Sequence, residues 1–234
     1  MRIRTISNSQ PLAALISSMA LIAGCAGSNP TIDTSPEAEV TFDGLHEVKG
    51  GRADKAWARP DADIEQYSKI KLQGVGIQYR PGGDTSRHYN PRTVGDHFEL
   101  TEQQKARLIE IVSESFRKEL GKSEYFTLVE ESGPDVLLIK GALIDVVSFV
   151  PPDSVGNVDI YLSRVGEATL VLEIADSMTG TVLARAVDRR AAEDAARGFS
   201  ESNRVMNSAE VRRMVNQWAR LLRERLDDHK APAE

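Results

Sequence analysis

The chain's one cysteine, Cys25, is its strongest candidate for covalent chemistry, and the residues before it define that chemistry. A thiol carries the most nucleophilic side-chain atom available near neutral pH, which suits it to alkylation and acyl transfer. Arg2 and Arg4 form a short basic start, and Leu12 to Ala23 (LAALISSMALIA) is apolar or small, broken only by Ser17 and Ser18. That run is too short for a hydrocarbon core of about 30 Å, which takes about 20 residues, so it reads as a secretory signal. Leu21-Ile22-Ala23-Gly24 then presents small side chains to a peptidase cleft immediately before the thiol. A lone cysteine also excludes an internal disulfide framework and any multi-cysteine metal site.

The other reactive residue types form no such pattern. His46, His88, His97 and His229 include no H-x-x-x-H or H-E-x-x-H pair. His88 and His97 share one stretch with Asp84 and Asp96, which reads as solvated loop histidines before it reads as a metal site. Gly74-x-Gly76 has Tyr79 where a dinucleotide loop needs its third glycine, and Ser200 lacks the closing glycine of a nucleophile elbow. The expectation is therefore no catalytic residue, no metal, no cofactor and no enzymatic activity. Two groups suit binding instead. Arg189 and Arg190 follow Asp188 and suit an anionic partner, although a surface ion-pair cluster is the commoner outcome. Trp57 stands among polar residues before a proline and suits either a partner contact or docking of its own segment. Trp218 falls at helical spacing with other apolar residues and reads as core.

The sequence Leu21-Ile22-Ala23-Gly24-Cys25-Ala26 resembles the lipobox of bacterial lipoproteins. The resemblance implies removal of residues 1–24, diacylglycerol on the Cys25 thiol, and an acyl chain such as palmitate on the new N-terminus. Ala26, rather than Asp, implies an outer-membrane lipoprotein facing the periplasm. One acyl chain anchors marginally at about 0.8 kcal/mol per buried CH₂, whereas two or three hold stably. Loss of Arg2 and Arg4 leaves 27 basic against 35 acidic residues, a net charge of −8. Such a body is repelled by anionic headgroups, so lipid rather than a basic patch would be the attachment, and nucleic acid is not an expected partner.

What must position these residues follows from the remaining pattern. Of 234 residues 41% are hydrophobic, enough for a single core. Residues 25–40 are polar, Pro-containing and acidic, as in a flexible lipidated tether. Residues 41–228 read as one domain beginning with an extended arm, and 229–234 as a disordered tail. Residues 69–79 change apolar phase at Gly74, which predicts a bulged strand. Thr101 with Gln104 is a capping box for a helix carrying Leu108, Ile109, Val112, Phe116 and Leu120 on one face, stopped by Gly121. Val136–Val150 is apolar in both phases and reads as a central strand. Glu167–Asp176 alternates and turns at residues 177–180 into Thr181–Arg190. Asn207 to Glu210 reads as the start of a last amphipathic helix. The expected fold is α+β: one mostly antiparallel or mixed sheet of about five strands, with two amphipathic helices packed on one face.

Several of these stretches, in order, resemble a family of uncharacterised bacterial lipoproteins, domain of unknown function 3313. They are Thr41-Phe42-Asp43-Gly44-Leu45, Ala56-Trp57-Ala58-Arg59-Pro60, Tyr67-Ser68-Lys69, Pro134-Asp135-Val136-Leu137, residues 166–190 and Trp218 to Arg223. The resemblance implies an envelope lipoprotein and brings no reaction or catalytic residue with it. The expected role is a lipid-anchored, non-catalytic interaction, assembly or regulatory module that contacts an envelope protein partner in the periplasm. The alternative is a binding module for a small apolar or lipid ligand, and a diverged hydrolase is the remaining one.

Overall fold

The computed structural model describes residues 30–81, 98–150, 161–162, 164–193, 200–201 and 204–231. Cys25, the signal segment, His88, His97 and most of the stretches 80–99 and 150–164 lie outside the described residues. Among the described residues ten strands and two helices follow one another: β1 (Thr31–Ile32), β2 (His46–Lys49), β3 (Lys55–Ala58), β4 (Lys69–Tyr79), α1 (Glu102–Leu120), β5 (Thr127–Val129), β6 (Val136–Ser148), β7 (Tyr161–Leu162), β8 (Arg164–Asp176), β9 (Val182–Glu193), β10 (Ser200–Glu201) and α2 (Arg204–Lys230). Eight strands form one sheet in the order β1-β2-β3-β9-β8-β6-β4-β5, and β7 pairs with β10 separately.

The expected sheet of about five strands is thus corrected to eight, the class remaining α+β. The difference lies at one edge. Thr31–Ile32 pairs antiparallel with β2, and β3 adds to β9 from Lys55 opposite Val187 to Ala58 opposite Ala184. The segment read as an arm is therefore part of the sheet, and the polar stretch read as tether is held on the sheet from β1 onward. Short edge strands need few buried side chains, so their composition hides them. At the other edge β4 runs parallel to both neighbours. The crossover from β4 to β5 is made by α1, while β5 is so short that residues 130–135 suffice to return the chain to the start of β6.

Thr101 and Gln104 form the full capping box of α1. Its buried stripe is Leu108, Ile111, Val112, Ser115, Phe116, Glu119 and Leu120, so Ile111 takes the place expected for Ile109, which is 45% exposed. Gly121 ends the helix in the right-handed region, its N–H donating to the Arg117 carbonyl. Helix α2 begins at Arg204, ahead of the expected Asn207 to Glu210 start, and it holds His229 and Lys230, which corrects the expected start of the tail at residue 229.

Both helices cover the same face. Ile70, Leu137, Ile139, Leu143, Ala168, Leu170 and Leu172 from the sheet pack with Phe116, Leu120, Met214, Val215 and Trp218. Each fully buried aliphatic side chain contributes about 1.5–3 kcal/mol of transfer free energy, largely offset by the entropy of ordering it.

Candidate functional site

The register of β9 decides where the candidate residues point. Leu170 lies opposite Asp188 and Ala168 opposite Arg190, which puts Asp188 and Arg190 on the helix-covered face. Arg185, Val187 and Arg189 alternate with them and turn to the open face, as does Trp57, opposite Arg185 on β3. Arg189 and Arg190 are therefore on opposite faces and do not form one anion-binding pair. Trp57 and Arg189 share the open face, about 14 Å apart along the sheet.

On the covered face Asp188 is a hub. It is 7% exposed; its Oδ2 accepts from Trp218 Nε1 at 2.7 Å and Arg190 Nε at 2.6 Å, and its Oδ1 accepts from the Asp54 N–H at 3.1 Å. Asp54 in turn accepts the Arg189 N–H at 2.8 Å. One carboxylate thus joins α2, β9 and the turn before β3. The cation of Arg190 compensates the buried charge, which makes this cluster a structural fastener.

On the open face the hub is Asp145. It is the only non-glycine residue at positive φ among the described residues, at 55°. Strand register slips there against both β4 and β8, so Asp145 is the extra residue of a bulge. Its carboxylate takes Arg80 Nε at 2.6 Å and Arg189 Nη1 at 2.7 Å, and Glu167 also pairs with Arg189. The hydrogen bonds from Arg80 first, and from Arg189, hold the Asp145 carboxyl below the usual carboxylate range against partial burial. The second slip, between Gln73 and Gly76, is the bulge expected at Gly74.

Nearer the β8–β9 turn, Arg185 bridges Asp43 at 2.8 Å and Glu173 at 3.0 Å, beside a half-buried Trp57 with Lys55 Nζ 5.7 Å from its ring centre. Trp57 Nε1 is buried without a hydrogen-bond partner. The turn that delivers Asp43 is tightly built. Thr41 Oγ1 donates to Asp43 Oδ1 at 2.6 Å and accepts the Leu45 N–H at 3.0 Å; Arg59 donates to the Asp43 carbonyl at 2.8 Å; Gly44 takes φ 81°. The Thr41 hydroxyl first, then Arg185, lowers the pKa of Asp43. At the tip of this braced turn the Phe42 ring is 98% exposed. Phe42 falls in the stretch expected to be an extended arm. The T-x-D-G pattern does announce a turn, but nothing in it says that the ring points outward.

A pocket of about 100 Å³ lies between α1 and the sheet, lined by residues including Leu72, Gly74, Val112, Phe116 and Leu172. Among the described residues no three His, Cys, Asp or Glu side chains gather as metal ligands, and no helix is long and apolar enough to cross a membrane.

A family model described as "Protein of unknown function (DUF3313)" matches residues 35–222. No curated protein matches the sequence. Among solved structures, protein XCC0632 from Xanthomonas campestris is 15% identical with TM-score 0.40, covering 74% of this chain and 90% of that one. The hypothetical protein CT253 from Chlamydia trachomatis is 11% identical with TM-score 0.39, covering 71% and 99%. The PelC dodecamer from Paraburkholderia phytofirmans is 10% identical with TM-score 0.35, covering 71% and 96%. Likeness at these scores carries no functional weight.

Proposed function

The chain belongs to the family described as protein of unknown function (DUF3313), and from that premise we propose that it is a lipid-anchored envelope protein whose domain works by contact rather than catalysis. The observation that carries this reading is the position of Cys25, directly behind an apolar leader and small residues. Acylated there, the chain faces the periplasm from the outer membrane and serves as an interaction, assembly or regulatory module for an envelope protein partner.

The state of the acids supports the non-catalytic part. Asp33, Asp43, Asp135, Asp145 and Asp176 all have lowered pKa values, each held ionised by hydrogen bonds or by a neighbouring cation. These five are therefore not raised acids of the kind that proton donation at neutral pH needs. The pocket beside Gly74 is well below the roughly 300 Å³ at which small-molecule sites begin, so that pocket is not a ligand carrier's cavity. Trp57 and the ion pairs around Arg185 and Arg189 offer that partner a mixed aromatic and charged surface on the open face.

Fractionation of cells producing the intact chain or Cys25→Ala tests the attachment. The intact chain is expected in the membrane pellet and the variant among soluble periplasmic proteins; equal solubility of both would refute it. Crosslinking in intact cells, with the captured protein identified, tests the contact role.

A further inference from the structure

We infer that the β1–β2 edge of the sheet and the Phe42 turn rest against the bilayer, with the Phe42 ring as a shallow membrane anchor. The inference rests on the acylation of Cys25 proposed above and adds an orientation to it. Three exposed apolar side chains lie within one short stretch: Ile32 at 37%, Val40 at 50% and Phe42 at 98%. Ile32 pairs with Val48, and Val40 pairs with His46, two residues along the same strand. Alternation therefore puts Ile32 and Val40 on one side of the ribbon, about 7 Å apart.

The length of chain outside the structure selects the occupant. Only residues 26–30 separate Cys25 from β1, and a fully extended chain of that length reaches no more than about 20 Å. Lipid at Cys25 thus brings this edge, rather than any other part of the domain, close to the headgroups.

Charge opposes the approach less than the net acidity suggests, because three of the acids around the patch have cationic partners. Asp33 pairs with Lys49 at 2.5 Å, Glu39 with Lys55 at 3.9 Å, and Asp43 with Arg185 at 2.8 Å. Phe42 itself is held by a turn whose backbone groups are bonded: the Gly44 N–H donates to the Thr41 carbonyl at 2.9 Å and the Thr41 N–H to the Leu45 carbonyl at 2.8 Å. A ring on a pre-ordered turn gains its burial with little further loss of conformational freedom. Aromatic and aliphatic groups of this kind settle about 5–10 Å into the headgroup boundary.

The test uses the full acylated chain with Phe42→Cys, reconstituted into vesicles of phosphatidylethanolamine and phosphatidylglycerol. With Cys25 acylated, residue 42 carries the only free thiol, and an environment-sensitive fluorophore placed there reports depth. Ile109→Cys, on the outer side of α1, serves as the water-exposed comparison. Blue-shifted emission at position 42, with loss of emission to a quencher held at shallow depth and no such loss at position 109, is the expected result. Water-like emission at position 42 in a chain whose mass shows the lipid adduct overturns the orientation alone. A chain without the adduct labels at both cysteines, and that result overturns the acylation and the orientation built on it.

Discussion

At the scale of single residues, two carboxylates do opposite things with similar partners. Asp188 is buried and ties three elements together, so Asp188→Ala leaves the Trp218 N–H and the Arg190 guanidinium without their acceptor. Removing one side of such a buried pair costs about 3–5 kcal/mol, and urea unfolding of the soluble domain is expected to show a loss of that size, with Asp188→Asn less affected. Asp145 sits at φ 55°, where a Cβ costs about 1–2 kcal/mol. Asp145→Gly and Asp145→Ala both lose the Arg80 and Arg189 pairs, but only the glycine relieves the backbone. The glycine variant is expected to be the more stable of the two by about 1 kcal/mol in the same measurement. Tyr67 donates to Asp176 at 2.9 Å, and burial first, then that bond and charge, pushes its pKa up to about 12. An unfolded tyrosine ionises near pH 10, so this contribution is complete below pH 10 and disappears as pH rises towards 12. Tyr67→Phe is expected to be less stable than the parent at pH 7 by about 1 kcal/mol, with the gap closing between pH 10 and 12. A gap that persists unchanged at pH 12 would contradict the assignment.

At the scale of elements, close approach of strands sets the tolerance. A Cβ on Gly166 of β8 would lie 2.4 Å from the Val147 carbonyl oxygen of β6, and that atom belongs to backbone that cannot swing aside. Gly166→Ala is therefore expected to lower the melting temperature by several degrees and to speed amide exchange where β6 and β8 meet, beside the Asp145 bulge. The central elements were legible because their side chains are buried on a regular period: residues 136–150 in both phases, residues 167–176 on alternate positions, and residues 101–120 behind a capping box. The edge was not. In β2 and β3 no side chain is fully buried, so the sequence resembles an arm although the backbone of β3 is hydrogen bonded to β9 and that of β2 to β3. Among the site residues, Trp218 was legible from its helical spacing. Arg189 and Arg190 fall on opposite faces, as alternation along a strand already requires. The Asp145 bulge left no signal, since an aspartate in an apolar strand reads equally well as an edge charge. The outward ring of Phe42 depends on bonds from Arg59 and Arg185, which are remote in sequence.

At the scale of the whole molecule, charge and attachment act together. The domain carries many ion pairs on a net acidic chain, and its depressed carboxylates contribute stability that is fully present above about pH 4 and lost as pH falls through their lowered pKa values. Acid titration followed by circular dichroism is expected to show unfolding below pH 4, shifted to higher pH in Asp43→Asn and Asp145→Asn. On the proposed acylation, the same acidity would leave lipid as the means of holding the protein at a bilayer, and the short reach from Cys25 to β1 would limit how the domain stands on it. The most direct test of this account is the mass of the N-terminal peptide from the mature protein extracted from membranes. The account predicts a peptide that begins at Cys25 and carries diacylglycerol on its sulfur and an acyl chain on its amine. An unmodified cysteine, or a mature chain that begins elsewhere, would contradict it.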